Sequence, residues 1–190
     1  MKKVSILLTA LFLGLNGLSI AAPKSVKVNA GGSTVLWFAE KVTGKHNGTV
    51  GLKQGDLKVD GNKLVGGSFV IDLTSIVCKD LTDPNFNKKF ITHITSGDFF
   101  EVEKFPTASF TITKVAGNQV SGNMTIKGIT KAITFPAEIT VNKGKVSAKA
   151  DITLDRTDYN IKYGSKKFFE SIGDKAIYDD FKLSIQLVSE

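Results

Sequence analysis

The sequence predicts an all-β protein, an antiparallel β-barrel of about eight strands. The first observation is a hydrophobic period of two, which marks strands with one buried face. The second is a series of short connections rich in glycine and asparagine, which favour hairpins and therefore antiparallel pairing. The third is that Cys78 is the only cysteine. No intrachain disulfide can form, so the fold must be held by its core.

The N-terminal residues are typical of a secretory signal peptide. Two lysines precede the apolar run Val4–Leu18, and small residues follow at Ser19–Ala22. A basic start, an apolar segment and small residues in this order mark a segment that is removed on export. The run of about 15 residues is shorter than the roughly 20 that span a bilayer, so we expect no transmembrane span. We predict that residues 1–21 are cleaved and that residues 22–190 form a single periplasmic or secreted domain.

The charge of the chain argues against a nucleic-acid partner. The formal net charge is +7, and it falls to +5 when the two lysines of the signal peptide are removed. The remaining lysines are spread along the chain and form no run of five. Nucleic-acid binding generally requires a concentrated basic patch, which this pattern does not indicate.

The strands follow from alternation and from the turns between the alternating runs. Apolar and polar residues alternate most clearly in four segments: Gln119–Ile126, Lys131–Val141, Val146–Leu154 and Leu183–Leu187. Turn chemistry separates the runs at four places: Asn29–Gly32, Asp60–Lys63, Ala116–Asn118 and Asn142–Lys145. The apolar face is expected to point inward, because the strands are short and the aromatic residues cluster in the helical segment. An outer-membrane barrel would instead be apolar outside and carry its aromatic residues in two girdles.

One region, Cys78 to Lys104, breaks the alternation and predicts a short helical segment near residues 80–100. Asp80 or the pair Asp83-Pro84 can cap or begin a helix. One helical face is predicted from a spacing of four: Phe86, Phe90 and Ile94. A second irregular segment, Lys166–Asp180, is expected to form a loop or short helix before the last strand.

The sequence contains no recognisable catalytic or metal-binding motif. Neither of its two histidines, His46 and His93, has a metal-ligand spacing to another histidine or to a cysteine. No nucleophile elbow, phosphate-binding loop or dinucleotide fingerprint is present. We therefore predict no catalytic residue, no metal and no cofactor, and expect Cys78 to be a small buried residue.

Arg156 is the only arginine among 25 basic residues. A rigid five-donor guanidinium suits a position where a carboxylate, a phosphate or several carbonyl groups must be held together. One interpretation is a structural lock onto an acidic partner such as Asp98 or Asp72. The other is a clamp on an anionic head group. The structural lock is favoured.

Six segments in order resemble the YceI-like family of bacterial lipid- or polyisoprenoid-binding proteins: Val42–Gly48, Phe69–Ile76, His93–Val102, Phe105-Pro106 with Phe110, Val120–Thr130 and Leu154–Ile161. The resemblance implies an extended lipocalin-like barrel with a helical segment over one opening. It also implies an elongated apolar cavity for a long isoprenoid or acyl chain. Where the family often has Phe-Gly, this chain has Tyr159-Asn160, which are expected to narrow or polarise one end of the pocket.

In such a barrel, the inward-facing apolar side chains of the strands are expected to line the lipid-binding cavity: Val35, Trp37, Phe69, Ile71, Phe110, Ile112, Met124, Phe135, Ile139, Ile152, Leu154 and Leu183. Candidates for the barrel end or for head-group contacts are His46, Phe99, Phe100 and Arg156. Phe99, Phe100 and Phe105 are expected to plug the helical end of the barrel. Small inward residues are expected to leave room for a ligand: Gly122, Ala137, Ala148 and Ala150.

Three functions remain open from the sequence. The first is an exported carrier or sink for a polyisoprenoid, a quinone or a fatty acid derivative, without covalent chemistry. The second is a dry-cored structural or protein-interaction barrel, in which Phe168 and Phe169 could form a homodimer contact. The third is a lipid-modifying enzyme that uses His46, His93 or Tyr163.

Overall fold

A computed structural model describes residues 22–190, which form ten strands, one α-helix and two short 3₁₀ turns. The elements are β1 Lys24–Lys27, β2 Thr34–Lys41, β3 Gly44–Asp60, β4 Lys63–Cys78, α1 Pro84–Thr95, β5 Thr107–Ala116, β6 Gln119–Ile126, β7 Ile129–Pro136, β8 Glu138–Asn142, β9 Lys145–Asp155, the 3₁₀ turns Arg156–Tyr159 and Gly173–Lys175, and β10 Ile177–Val188. The predicted signal peptide lies outside the described residues and stays a prediction.

The strands form one antiparallel sheet that curls into a half-barrel. Their order is β7-β6-β5-β4-β3-β2-β10-β9-β8, and β1 pairs with β3. The two end strands of this order, β7 and β8, are consecutive in the chain and are separated only by Ala137. The Ala137 N–H donates to the Asn118 carbonyl at 2.7 Å. The all-β antiparallel barrel predicted from the sequence is confirmed, with ten strands in place of about eight.

Three of the four predicted turns are hairpins. Gly61 and Gly117 adopt positive φ angles of 56° and 61°, and the turn between β8 and β9 uses Lys143 and Gly144 at 50° and 81°. Asn29–Gly32 is different, because β1 and β2 do not pair with each other. Both strands pair with the same side of β3, at Asp56–Val59 and at Gly44–Val50. β1 and β2 therefore follow one another along the same edge of β3, and the turn between them does not reverse the chain.

The last strand begins earlier than predicted. The expected loop was to extend to Asp180, but β10 starts at Ile177, which pairs with Lys41 of β2. The pairing register with β2 shifts between Ile177 and Phe181. An irregularity of this kind disrupts the period-two pattern on which the sequence prediction depended.

One end of the half-barrel is closely packed by aromatic side chains. The Phe110 ring lies 5.5 Å from the rings of Phe69 and Phe135, centroid to centroid. A Cβ atom on Gly122 would lie 2.4 Å from Cζ of Phe110. The small residue at this position therefore accommodates the Phe110 ring, and the expectation that Gly122 leaves room for a ligand is wrong. The other three small inward residues, Ala137, Ala148 and Ala150, border a remaining void of about 50 Å³.

Helix α1 covers the other end. Asp83 caps it, since its carboxylate accepts hydrogen bonds from the N–H groups of Asn85 and Phe86 at 2.8 and 3.0 Å. Phe90 and Ile94 face the barrel interior, as predicted. Phe86 does not, because its side chain is 62% exposed. Helical spacing predicts which face is apolar but not how much of the helix length rests on the barrel.

Candidate functional site: an apolar cavity beneath the helix

An apolar cavity of about 570 Å³ lies at the helical end of the half-barrel. Its walls come from the inward faces of β2, β4, β5, β6 and β10: Val35, Trp37, Ile71, Leu73, Ala108, Met124, Ile126 and Leu183. Its cover comes from α1, the turn after it and the segment after β9: Phe90, His93, Ile94, Phe99, Phe100, Ile161 and Tyr163. Phe110 borders the smaller void at the packed end and does not line this cavity.

Aromatic rings form most of the cover. The Phe90 ring stacks on Trp37 with centroids 6.0 Å apart, and it lies 4.5 Å from the His46 ring. His93 contacts Phe99 and Tyr163 edge to face, at 5.0 and 4.7 Å. These contacts connect the helix to β2 on one side and to the segment after β9 on the other. The cover is therefore a set of packed rings held by three parts of the chain.

Four phenylalanines follow α1, three in the turn and Phe110 in β5, and only some of them line the cavity. Phe99 and Phe100 line the cavity, as expected of residues at the barrel end. Phe105 does not plug the barrel, because its ring packs over Gly128 in the β6–β7 hairpin. Phe110 points inward and is 1% exposed, but it faces other rings of the packed end.

The predicted cavity residues separate into three groups. Five line the cavity of about 570 Å³: Val35, Trp37, Ile71, Met124 and Leu183. Five border the small void at the packed end: Phe69, Phe110, Ile112, Phe135 and Ile139. Two are buried in the core and border neither space: Ile152 and Leu154. The four barrel-end candidates all line the larger cavity: His46, Phe99, Phe100 and Arg156. Their role in lipid binding stays a prediction.

Arg156 makes the contacts expected of a structural lock, although not with the partners that the sequence suggested. Its guanidinium donates to four backbone carbonyls at 2.7 to 3.1 Å: Ile161, Tyr163, Ile177 and Tyr178. It also lies 3.2 Å from a carboxylate oxygen of Asp179. The proposed partners are occupied elsewhere, Asp72 by Thr74 and Asp98 by His93. The arginine therefore ties the segment after β9 to the start of β10.

Tyr159 and Asn160 do not narrow the pocket. Tyr159 is 1% exposed and does not border the cavity. Burial, with a smaller contribution from the charge of Asp158, raises the pKa of Tyr159 to about 12. Asn160 is exposed, with φ and ψ of 59° and 27°. This left-handed conformation is one that glycine and asparagine adopt most readily, which explains asparagine at a position where glycine also fits.

His46, Cys78 and Asp80 form a polar cluster at the edge of the cavity. Nδ1 of His46 lies 2.8 Å from Oδ2 of Asp80, and the Cys78 thiol donates to Oδ1 of Asp80 at 3.3 Å. The potential metal-ligand atoms of the three residues lie within 4.8 Å of one another. The pairing of β3 with β4 brings His46 close to Cys78 and Asp80. The sequence did not predict this cluster because His46 lies far from the other two residues in the chain. Cys78 is buried, as expected, and burial raises the pKa of its thiol.

A curled antiparallel sheet around an apolar cavity with a helical cover places the chain among the antiparallel β-barrel proteins. The model of the YceI-like domain matches residues 26–189, and the chain belongs to this family. No helix within residues 22–190 combines the length and the apolar character needed to cross a membrane.

Relatives and solved structures agree with this assignment. An 81-residue segment is 35% identical to a UPF0312 protein of Pseudomonas aeruginosa, covering 37% of this chain and 42% of that protein. The chain thus spans less than half the length of this curated relative. Among solved structures, BcnA of Burkholderia cenocepacia aligns with a TM-score of 0.68 and 22% identity, covering 86% of this chain and 99% of that one. A polyisoprenoid-binding domain from Saccharophagus degradans, implicated in plant cell wall breakdown, aligns with a TM-score of 0.64 and 15% identity. This alignment covers 86% of this chain and 97% of that one. These structural likenesses show the shared fold.

Proposed function

We propose that the protein is an exported carrier or sink that binds a long-chain apolar lipid in the cavity beneath α1. The observation that carries this proposal is the cavity itself, whose volume of about 570 Å³ lies in the range of about 300–1,000 Å³ that is usual for ligand pockets. Most of its lining is aliphatic or aromatic. Each methylene group buried there would contribute roughly 0.8 kcal/mol, so a long chain can bind tightly without polar contacts.

The expected ligand class is a polyisoprenoid, a quinone or a fatty acid derivative. Membership of the YceI-like family and the polyisoprenoid-binding domain among the structural neighbours support this class. The predicted signal peptide supports export. No cofactor other than the bound lipid is needed, and binding requires no covalent step.

A second candidate, hydrolysis of a lipid ester, is favoured by one specific observation. Both histidines line the cavity and each pairs with a carboxylate, His46 with Asp80 and His93 with Asp98, at 2.8 and 3.2 Å. A histidine held by a carboxylate can act as a general base toward water. Hydrolysis of a prenyl ester would be measured for the wild type, His46→Phe and His93→Phe. Activity in the wild type that is lost in both variants would support an enzyme over a carrier.

A cavity-filling variant and a matched control test the carrier proposal. Ala108 is 4% exposed and lines the cavity, whereas Ala116 is exposed at the far end of the same strand. The uptake of a fluorescent polyene fatty acid, and its displacement by farnesol, would be measured for both phenylalanine variants. We expect Ala108→Phe to weaken binding at least about tenfold, equivalent to about 1.4 kcal/mol, and Ala116→Phe to bind like the wild type. A folded Ala108→Phe variant with unchanged uptake would place the ligand elsewhere.

A further inference from the structure

His46 presents a fixed polar group to an otherwise apolar wall. Its ring lines the cavity, contacts the Phe90 ring at 4.5 Å and is only partly exposed. On its other side, Nδ1 lies 2.8 Å from Oδ2 of Asp80. Asp80 is itself held in place, because its second oxygen accepts from the Asn47 N–H at 2.8 Å and from the Cys78 thiol. The imidazole is therefore oriented by a carboxylate that two further groups hold.

This arrangement defines which ring nitrogen carries the proton. One oxygen of the Asp80 carboxylate accepts hydrogen bonds from the Asn47 N–H and the Cys78 thiol, and the other faces Nδ1 of His46. An ionised carboxylate can only accept hydrogen bonds, so Nδ1 of His46 must be the donor. In the neutral ring Nε2 is then an acceptor, and it has no hydrogen-bond partner within residues 22–190.

We propose that His46 Nε2 is the head-group subsite of the cavity and accepts a hydrogen bond from a terminal hydroxyl of the lipid. This proposal rests on the carrier function and names its ligand class: an apolar chain that ends in a hydroxyl donor, as in a prenol or a long-chain phenol. Asp80 is the positioning residue, since it selects the tautomer and the ring orientation.

The charges around the cavity argue against a phosphorylated head group. Three acidic and three basic side chains border it and balance in number: Glu40, Asp174 and Asp180 against Lys41, Arg156 and Lys175. Arg156 directs its donors to backbone carbonyls. A phosphate needs several converging cationic or N–H donors, and a single imidazole nitrogen supplies at most one.

Matched ligands test the subsite separately from the carrier function. The affinities of farnesol, farnesyl methyl ether and farnesyl phosphate would be measured by calorimetry at neutral pH for the wild type and for His46→Phe. The ether keeps the chain and the oxygen but cannot donate. We expect the wild type to bind the alcohol about 3- to 10-fold more tightly than the ether, the effect of one ordinary hydrogen bond. His46→Phe keeps an aromatic ring but has no acceptor, so it should bring this ratio close to one.

The possible outcomes distinguish failure of the subsite from failure of the carrier function. Equal binding of alcohol and ether by the wild type would overturn the subsite while leaving the carrier function intact. Tighter binding of the phosphate than of the alcohol would also overturn it and would indicate a cationic head-group site. Failure of all three ligands to bind would overturn both proposals. Because the wild-type ratio is measured without any substitution, an unstable His46→Phe variant would not block the test.

Discussion

Arg156 connects two segments that the chain brings together only after folding. Its four carbonyl partners belong to the segment after β9 and to the start of β10. The sequence showed that this arginine was unusual, because all other basic residues are lysine. It did not show the partners, since backbone carbonyls leave no trace in the identity of the side chains around them. Asp179 could not be distinguished from other carboxylates for the same reason.

Replacing Arg156 with lysine should cost stability more than affinity. A lysine has three donors on one atom and cannot reach four carbonyls spread around a planar fork. We expect the free energy of unfolding in urea to fall by at least about 2 kcal/mol, since several charge-assisted hydrogen bonds are lost. The lipid affinity of the folded fraction should be nearly unchanged. A variant of native stability that no longer binds lipid would instead identify Arg156 as a head-group clamp.

Tyr159 should make the protein sensitive to alkaline pH. Its folded-state pKa is raised to about 12, so the folded state keeps the phenolic proton where the unfolded chain, with a value near 10, releases it. The contribution of Tyr159 to the free energy of unfolding is fully present below about pH 10. It falls by about 1–3 kcal/mol as the pH rises toward 12. Urea unfolding between pH 9 and 12 should show a steeper decline for the wild type than for Tyr159→Phe. Parallel curves for the two proteins would contradict this account.

Among the elements, the hairpins were the most predictable and the strand irregularities the least. Gly61 and Gly117 mark turns through local chemistry, which a sequence displays directly. Asn29–Gly32 separates β1 from β2 without a hairpin because both strands pair with β3. The start of β10 depends on a register shift in its pairing with β2. Both features are properties of strand partners far away in the chain. Local alternation carries no information about them.

Helix α1 offers a matched pair of substitutions at its cavity-facing and exposed sides. Phe90 lines the cavity and stacks on Trp37, whereas Phe86 is 62% exposed one turn earlier. We expect Phe90→Ala to lower the free energy of unfolding by about 2 kcal/mol, less than the ~3–5 kcal/mol of a fully buried phenylalanine. Phe86→Ala should stay within about 0.5 kcal/mol of the wild type. Equal effects of the two variants in urea unfolding would mean that the helix does not pack as described.

For the whole molecule, the position of the cavity follows from how the inward side chains fill the half-barrel. Period-two alternation predicted which residues point inward, and it included both the cavity wall at Val35 and the packed end at Phe135. It could not predict which end is filled, because that depends on the Phe110 ring occupying the space beside Gly122. A small residue in sequence can mark a pocket or the place of a neighbouring ring. Only the three-dimensional packing distinguishes the two cases.

The central claim is that the space beneath α1 holds a lipid, and native mass spectrometry tests it most directly. The protein would be purified from its exported fraction without added lipid, and Ala108→Phe would be prepared in parallel. We predict a discrete adduct on the wild type that extracts into organic solvent, and a much smaller adduct fraction on the variant. A bare wild-type mass that also stays bare after incubation with isoprenoids, quinones and fatty acids would contradict the claim.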